Sequence, residues 1–396
     1  TEPLLSLAGF EEMTKTAEKS SGLISVTGCI DAQKSQMIYA FGGHRKNKLI
    51  VTFGEQKAKE LYDEYSFFDK EVVYYPSKDV LFYQSDIRGN LLTAERIRAL
   101  KAIHEQERVT LVTTFDALMN TMAPIEKMWE NVLTLEQRQL LDLKEIQAAL
   151  IRMGYEKEYQ VQTMGQFSVR GGILDVFPLT EENPIRIELW GDEIDTIRYF
   201  DCESQKSIEN TDRVSIYPAA ELVLSDEEKA RGIEKLKAEA KRVSDKLRKQ
   251  MKTEEAHRVS VMADELTEEW GELSMYAGMD AFLSYFFDER VGLLDYFKPS
   301  DSLIFFDELT RCTEQGKLTE TEFSESMKQR LAMGYILPGQ MNGLFTEKEI
   351  VAKLEKYSCI ALGALDNKAN GLHQLGSYGI HCQSVSPYNN SFELLI

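Results

Sequence analysis

The sequence predicts an α/β fold: a parallel sheet covered by helices on both faces, assembled from two separate chain segments and interrupted by an inserted α+β unit. Three observations carry this expectation. Apolar runs of strand length alternate with helical stretches through the first 113 residues, the usual layout of a parallel sheet. Consecutive strands joined by tight turns then fill Gly165 to Asp201. Finally, Gly28–Ser35 looks like a phosphate loop, whereas the apolar strand ending in two carboxylates that would hold its magnesium arrives only at Leu303–Glu308. In one compact domain these two features share a sheet, so the antiparallel stretch, about Asn131 to Tyr217, reads as an insertion. The expected units are therefore 1–130, the first half of the sheet domain; 131–217, the insertion; and 218–396, the second half and the start of a linker.

The elements follow in order. An amphipathic helix is expected at Leu4–Glu18, then a buried strand Gly22–Gly28, a loop, and a helix from about Lys34 to Phe41. Lys48–Phe53 reads as a strand, Glu55–Tyr65 as a helix, Val72–Tyr75 as a short strand, Thr93–Gln106 as a helix and Val109–Thr113 as a strand. Past Pro124 the pattern changes to a short amphipathic helix, Leu143–Met153, followed by the hairpins. From Leu224 to His257 the chain is strongly helical and charged, and it then returns to mixed structure that includes the strand Ser302–Phe306. No internal repeat or low-complexity tract is evident.

Composition narrows the function. Lys and Arg total 46 against 65 Asp and Glu, a formal net charge of -19, which disfavours generic binding to a phosphate backbone. The five cysteines are scattered without a C-x-x-C pair, and the histidines, His44 and His257 among them, show no metal-ligand spacing. A reducing cytoplasm is the expected setting, with no signal peptide and no apolar run long enough for a membrane helix. In the run Lys229–Lys252 lysines are interspersed with glutamates, as on a solvated helical face.

Two motifs invite chemistry. A working phosphate loop needs G-x-x-x-x-G-K-[ST], so that backbone N–H groups curl around phosphate while the lysine and hydroxyl meet phosphate and metal. Here Gly28-Cys-Ile-Asp-Ala-Gln33-Lys34-Ser35 has Gln in place of the second glycine and a carboxylate, Asp31, inside the loop. Both changes oppose nucleotide binding, and a vestigial turn is the expectation. Asp307 and Glu308 would supply the metal ligand and general base of a nucleotide hydrolase, but a carboxylate pair ending an apolar strand is also a common surface feature.

The most distinctive stretch is Gln166-Phe-Ser-Val-Arg170-Gly-Gly-Ile-Leu-Asp-Val-Phe-Pro178, followed by Ile185-Arg186-Ile-Glu-Leu-Trp190. Strand alternation sends Ile185, Ile187 and Leu189 to one face and Arg186, Glu188 and Trp190 to the other. With Phe167 and Val169 inward, Ser168 and Arg170 join that second face. Arg and Trp are enriched at binding hot spots. Two readings stand: a solvent-facing recruitment surface, or Trp190 packed beneath a neighbouring element with the arginines paired to Glu188 or Asp192.

These residues resemble the second domain shared by UvrB and the N-terminal region of the bacterial transcription-repair coupling factor (Mfd), most strongly in Arg170-Gly-Gly-Ile-Leu-Asp-Val-Phe-Pro. The flanks agree: Val26-Thr27-Gly28 with Lys34-Ser35 is similar to UvrB's phosphate loop, and Leu294-Asp-Tyr-Phe with Leu303-Ile-Phe-Phe-Asp307-Glu308 to the stretch leading to its acidic motif. Gln33, and Tyr75-Pro-Ser-Lys-Asp-Val-Leu-Phe-Tyr-Gln84 where UvrB has its long aromatic hairpin, point to the coupling factor. The resemblance implies a degenerate RecA-like P-loop domain without ATPase activity, carrying a UvrB domain 2-like insertion that binds UvrA through Arg170, Arg186 and Trp190. It also implies that RNA polymerase, DNA, ATP and magnesium are engaged by an ATP-driven translocase and other domains beyond Ile396, one of which could mask the docking face. The competing expectation is a UvrB-type, ATP-dependent DNA-opening subunit using Lys34, Ser35, Asp307 and Glu308. Reversal of Arg186 to Glu is expected to separate them by abolishing UvrA binding, and a nucleotide titration by its silence.

Overall fold

Runs such as Lys48-Leu-Ile-Val-Thr and Leu303-Ile-Phe-Phe are rich in β-branched and aromatic side chains without polar interruption, which suits a strand buried on both faces. In a computed structural model, which describes residues 9–41, 45–78, 89–272, 279–365 and 371–380, these runs build one seven-stranded sheet. Its order is Gln374–Gly379, Gly22–Thr27, Ser358–Leu362, Ser302–Asp307, Asn47–Thr52, Val109–Thr114 and Val73–Tyr75. Every neighbouring pair is parallel. The period of two divides the strands between two cores: Leu49, Val51, Ile304 and Phe306 face one, Ile50, Leu303 and Phe305 the other. Helices Phe10–Lys19, Asp31–Phe41 and Glu55–Tyr65 cover the second core. Helices Gly89–Glu105, Leu309–Ala332 and Glu347–Leu354 cover the first. The arrangement is α/β and consistent with a RecA-like domain.

Residues 156–211 form a separate six-stranded sheet, ordered Ser207–Thr211, Glu193–Phe200, Ile185–Trp190, Ile173–Val176, Gln166–Arg170 and Glu156–Lys157. It is antiparallel except for its last pair. One face is apolar: Phe167, Leu174, Val176, Ile185, Ile187, Ile194 and Ile197 pack with Leu150 of helix Leu143–Arg152. That helix starts where the Asp142 side chain accepts hydrogen bonds from the N–H groups of Lys144 and Glu145. The other face is polar.

A buried polar knot holds the stretch that follows the inserted unit against the large-sheet domain. Arg96, inside helix Gly89–Glu105, gives a two-pronged hydrogen bond to Glu221 (Nε–Oε1 2.7 Å, NH2–Oε2 2.9 Å), donates to the Pro76 carbonyl at 2.6 Å and lies over the Tyr75 ring. Lys78 pairs with Glu221 at 3.0 Å and with Asp280 at 2.9 Å. Burial disfavours the Glu221 carboxylate, but the Arg96 and Lys78 cations outweigh it and hold the group down at about 2. Nearby, the Tyr155 hydroxyl donates to the Tyr217 carbonyl, and Lys101 pairs with Glu181.

Several sequence-based expectations need correction. The second helix begins at Asp31 rather than Lys34, which removes the open loop, and the charged helical region continues as a hairpin, Asp226–Lys249 and Thr253–Glu272, well past His257. The helix expected at Thr93 starts at Gly89. The start of the Leu4–Glu18 helix, the segment Asp79–Gln84, His44 and most of Asn367–Ile396 lie outside the described residues. No helix among the described residues is long and apolar enough to cross a membrane.

Candidate functional site

The phosphate-loop segment sits at the end of strand Gly22–Thr27, one strand away from the strand bearing Asp307. The tertiary structure thus brings the two halves of the motif together, but in a closed arrangement. Lys34 is buried and donates to three carboxylates: Asp307 Oδ1 at 2.5 Å, Asp31 Oδ1 at 2.9 Å and Glu308 Oε1 at 3.0 Å. Burial by itself favours the neutral amine, yet the Asp307 carboxylate outweighs it and raises the lysine above its ordinary range. Thr52 Oγ1 donates to the other Asp307 oxygen at 2.9 Å, and the Ala364 N–H donates to Glu308 at 3.1 Å.

The backbone donors are engaged as well. Gly28 N–H reaches the Ala364 carbonyl at 3.3 Å and Cys29 N–H the Gly363 carbonyl at 3.0 Å. Gly28 has φ +78°, and a Cβ there would lie 2.1 Å from the Ile380 oxygen, so the chain's own later segment crosses where the loop begins. Gln33 lies within the first turn of the helix, and Ser35 Oγ turns away to Glu64 Oε2 at 3.2 Å. Among the described residues no group of three His, Cys, Asp or Glu is disposed to hold a metal ion. These residues do not fit a nucleotide with its magnesium, because the cation that would meet phosphate is already neutralised and the Gly28 and Cys29 amides are already paired.

The polar face of the six-stranded sheet is different. Trp190 ends its strand beside the tight turn at Gly191 and is 84% exposed. Arg186 is not free in the same way, since its side chain is only 11% exposed. Its Nε and NH2 grip the two oxygens of Asp175 at 2.6 and 2.8 Å, NH2 also reaches Gln205 Oε1 at 2.8 Å, and its guanidinium lies 4.2 Å from the Phe200 ring centroid. Arg170 NH2 meets the same Asp175 at 2.9 Å and its guanidinium lies over the ring of the exposed Tyr159.

The open question about Arg170, Arg186 and Trp190 therefore divides. Trp190 is uncovered in this chain, while the arginines pair with Asp175 rather than with Glu188 or Asp192. Glu188 instead receives Arg198, whose NH1 lies 2.9 Å from its Oε2. Ser168, expected to face outward, is buried because its hydroxyl donates to the Tyr159 carbonyl at 2.7 Å.

Sequence reasoning missed Asp175, Arg198, Tyr159 and Gln205 as parts of this face. Arg198 was out of reach of simple hairpin counting, since a register shift between Glu188 and Leu189 sets it, rather than Ile197, opposite Arg186. Asp175 carried a weak signal, a carboxylate between two inward apolar residues, Leu174 and Val176. Tyr159 and Gln205 lie in irregular segments, where no periodicity locates a side chain.

A comparison with known protein families now matches residues 133–222 to the UvrB interaction domain. The match contains the whole six-stranded sheet and the polar face just described. The chain is also similar to a transcription-repair-coupling factor of Bacillus subtilis (strain 168), 29% identical over 310 residues, 78% of this chain and 26% of the relative. A transcription-repair-coupling factor of Staphylococcus epidermidis is 28% identical over 345 residues, 85% of this chain and 28% of the relative. The chain thus spans about a quarter of the length of the curated relatives it matches. The likeness reaches well past the UvrB interaction domain into the sheet domain around it.

Proposed function

We propose that this chain is a recruitment module for DNA excision repair, in which units 1–130 and 218–396 form a degenerate RecA-like scaffold and the insertion 131–217 docks the UvrA subunit. The reading rests chiefly on one observation: an exposed Trp190 beside an ordered row of arginines, within a unit that matches the UvrB interaction domain. A large aromatic left bare at a strand end, next to held guanidinium groups, has the make-up of a binding hot spot. In the longer protein the module would bring repair to stalled RNA polymerase, with DNA contact, ATP and magnesium handled by a translocase outside this chain.

The reversal of Arg186 to Glu is a poor test. It would set a new carboxylate against Asp175, itself 1% exposed, and destabilise the sheet by roughly 3–5 kcal/mol. Trp190→Ala leaves the packing untouched. Calorimetric titration of UvrA is expected to show binding that weakens at least about tenfold in Trp190→Ala, the loss typical of a hot-spot aromatic. Equal affinities would reject this face. If another domain masks the face in the longer protein, the chain alone binds UvrA more tightly than the whole; equal values would remove masking from the account.

The competing reading, a UvrB-type ATP-dependent DNA-opening subunit, requires Lys34 to leave three carboxylates and the 363–364 carbonyls to release two amides. Titration with ATP and magnesium at millimolar concentration is expected to give no heat; saturable binding would restore that reading.

A further inference from the structure

We propose that Asp175 is a positioning residue of the docking face, fixing Arg186 as a scaffold so that the open guanidinium fork of Arg170 receives a carboxylate of the partner. The inference rests on the docking reading above. Asp175 lies on the strand between the two arginines' strands, directly across from Arg186 and diagonal to Arg170. Both of its oxygens are engaged: Oδ1 by Arg186 Nε at 2.6 Å, Oδ2 by Arg186 NH2 at 2.8 Å and by Arg170 NH2 at 2.9 Å. One buried carboxylate thereby sets the spacing of two cations on a face that ends in Trp190.

The two arginines are left in unlike states. A guanidinium has five N–H donors. Arg186 gives three bonds, two to Asp175 and one to Gln205, and is stacked on Phe200, so little of it can turn toward a partner. Arg170 gives a single bond to Asp175, with its side chain 35% exposed and Tyr159 beneath its guanidinium. One fork, the second N–H of NH2 with a neighbouring Nε or NH1 donor, remains for a planar, two-pronged acceptor, and a carboxylate is the protein side chain with that geometry. Because Arg170 is held before the partner arrives, less rotamer freedom is lost on docking. Asp175 touches no partner in this scheme and acts only through the arginines.

The test is a set of UvrA titrations with the full chain. Asp175→Asn is expected to weaken binding about five- to tenfold, the range for losing charge-assisted ordering, and to add less than about twofold once Arg170 is already Ala. Losses that simply add, or an unchanged affinity in Asp175→Asn, overturn the proposal, since a merely structural carboxylate would act independently of Arg170. Should Asp175→Asn fail to fold, Arg170→Lys at the exposed position decides instead. It keeps the charge and loses the fork, and is expected to bind as weakly as Arg170→Ala; binding like wild type overturns the proposal. Trp190→Ala runs beside both, and if it binds as wild type the docking reading itself fails, whatever Asp175 does.

Discussion

At the residue scale, buried charge is the dominant theme, and Glu221 shows how pH exposes it. Its folded value of about 2 lies below the ordinary 4.5, so the stability it contributes is fully present above the unfolded value and is lost as pH falls from there toward 2. A shift of this size corresponds to about 3 kcal/mol. Urea unfolding at pH 7 and pH 3 is expected to show wild type losing more stability on acidification than Glu221→Gln by about 2 kcal/mol, since pH 3 still lies above the folded value; equal losses would show that the Arg96 pairing does not hold the carboxylate ionised. Lys34 offers the converse case. Replacing it with Met leaves Asp31, Asp307 and Glu308 facing one another, and the variant is expected to lose roughly 3–5 kcal/mol in the same assay, whereas a nearly neutral change would mean that the cluster is hydrated rather than sealed.

Strand alternation locates part of the polar face and leaves the rest undefined. Strand parity alone put Arg186, Glu188 and Trp190 opposite Ile185 and Ile187, and burial shows those two isoleucines inside and Trp190 outside. Parity cannot tell which outward residues meet each other, because that depends on the register between strands. The pairing of Arg186 with Asp175 on one side and its place opposite Arg198 on the other come from two registers that no single strand encodes.

At the element scale, local signals set most boundaries. Ser225 and Glu228 form a capping box, in which the serine hydroxyl accepts from the Glu228 N–H and the glutamate returns to Ser225, and helix Asp226–Lys249 starts there. Ser225→Ala is expected to lower stability by about 1 kcal/mol, measured by chemical denaturation, with UvrA affinity unchanged because the helix lies outside the proposed docking sheet. A change in affinity would mean that the hairpin communicates with the face. The helix that misled the sequence reading is the one after Gly28. With a glycine at position 33 the loop would stay open to the lysine, but Gln33 and Ala32 extend the helix back to Asp31, and residue preference for helix over loop shows there as a gain of one turn.

At the scale of the whole molecule, the inserted sheet shares core packing and an ion pair with the sheet domain. Leu179 and Tyr217, which flank or leave the inserted sheet, belong to the core beneath the large sheet, and Arg96 ties Glu221 to the Pro76 backbone. A single calorimetric unfolding transition is expected for the wild type, and Arg96→Met, by leaving Glu221 with Lys78 as its remaining cation, should lower its midpoint. Two transitions in the wild type would show that the units unfold independently.

The sequence by itself determined the local and periodic features: alternating strands and helices, the insertion of hairpins between two matching halves, the acidic balance, and the RGGILDVFP stretch that led to the UvrB interaction domain. These depend on side chains close in the chain, so pattern reports them. Only the tertiary structure decided whether the motifs are open. Lys34 and Asp307 are 273 positions apart, Gly28 meets Ile380, and Arg186 meets a carboxylate on the adjacent strand that its own strand does not reveal. Charge pairing is settled by distance in space, and at separations of a few ångströms in a dry interior it outweighs the meaning that each residue carries in its own motif.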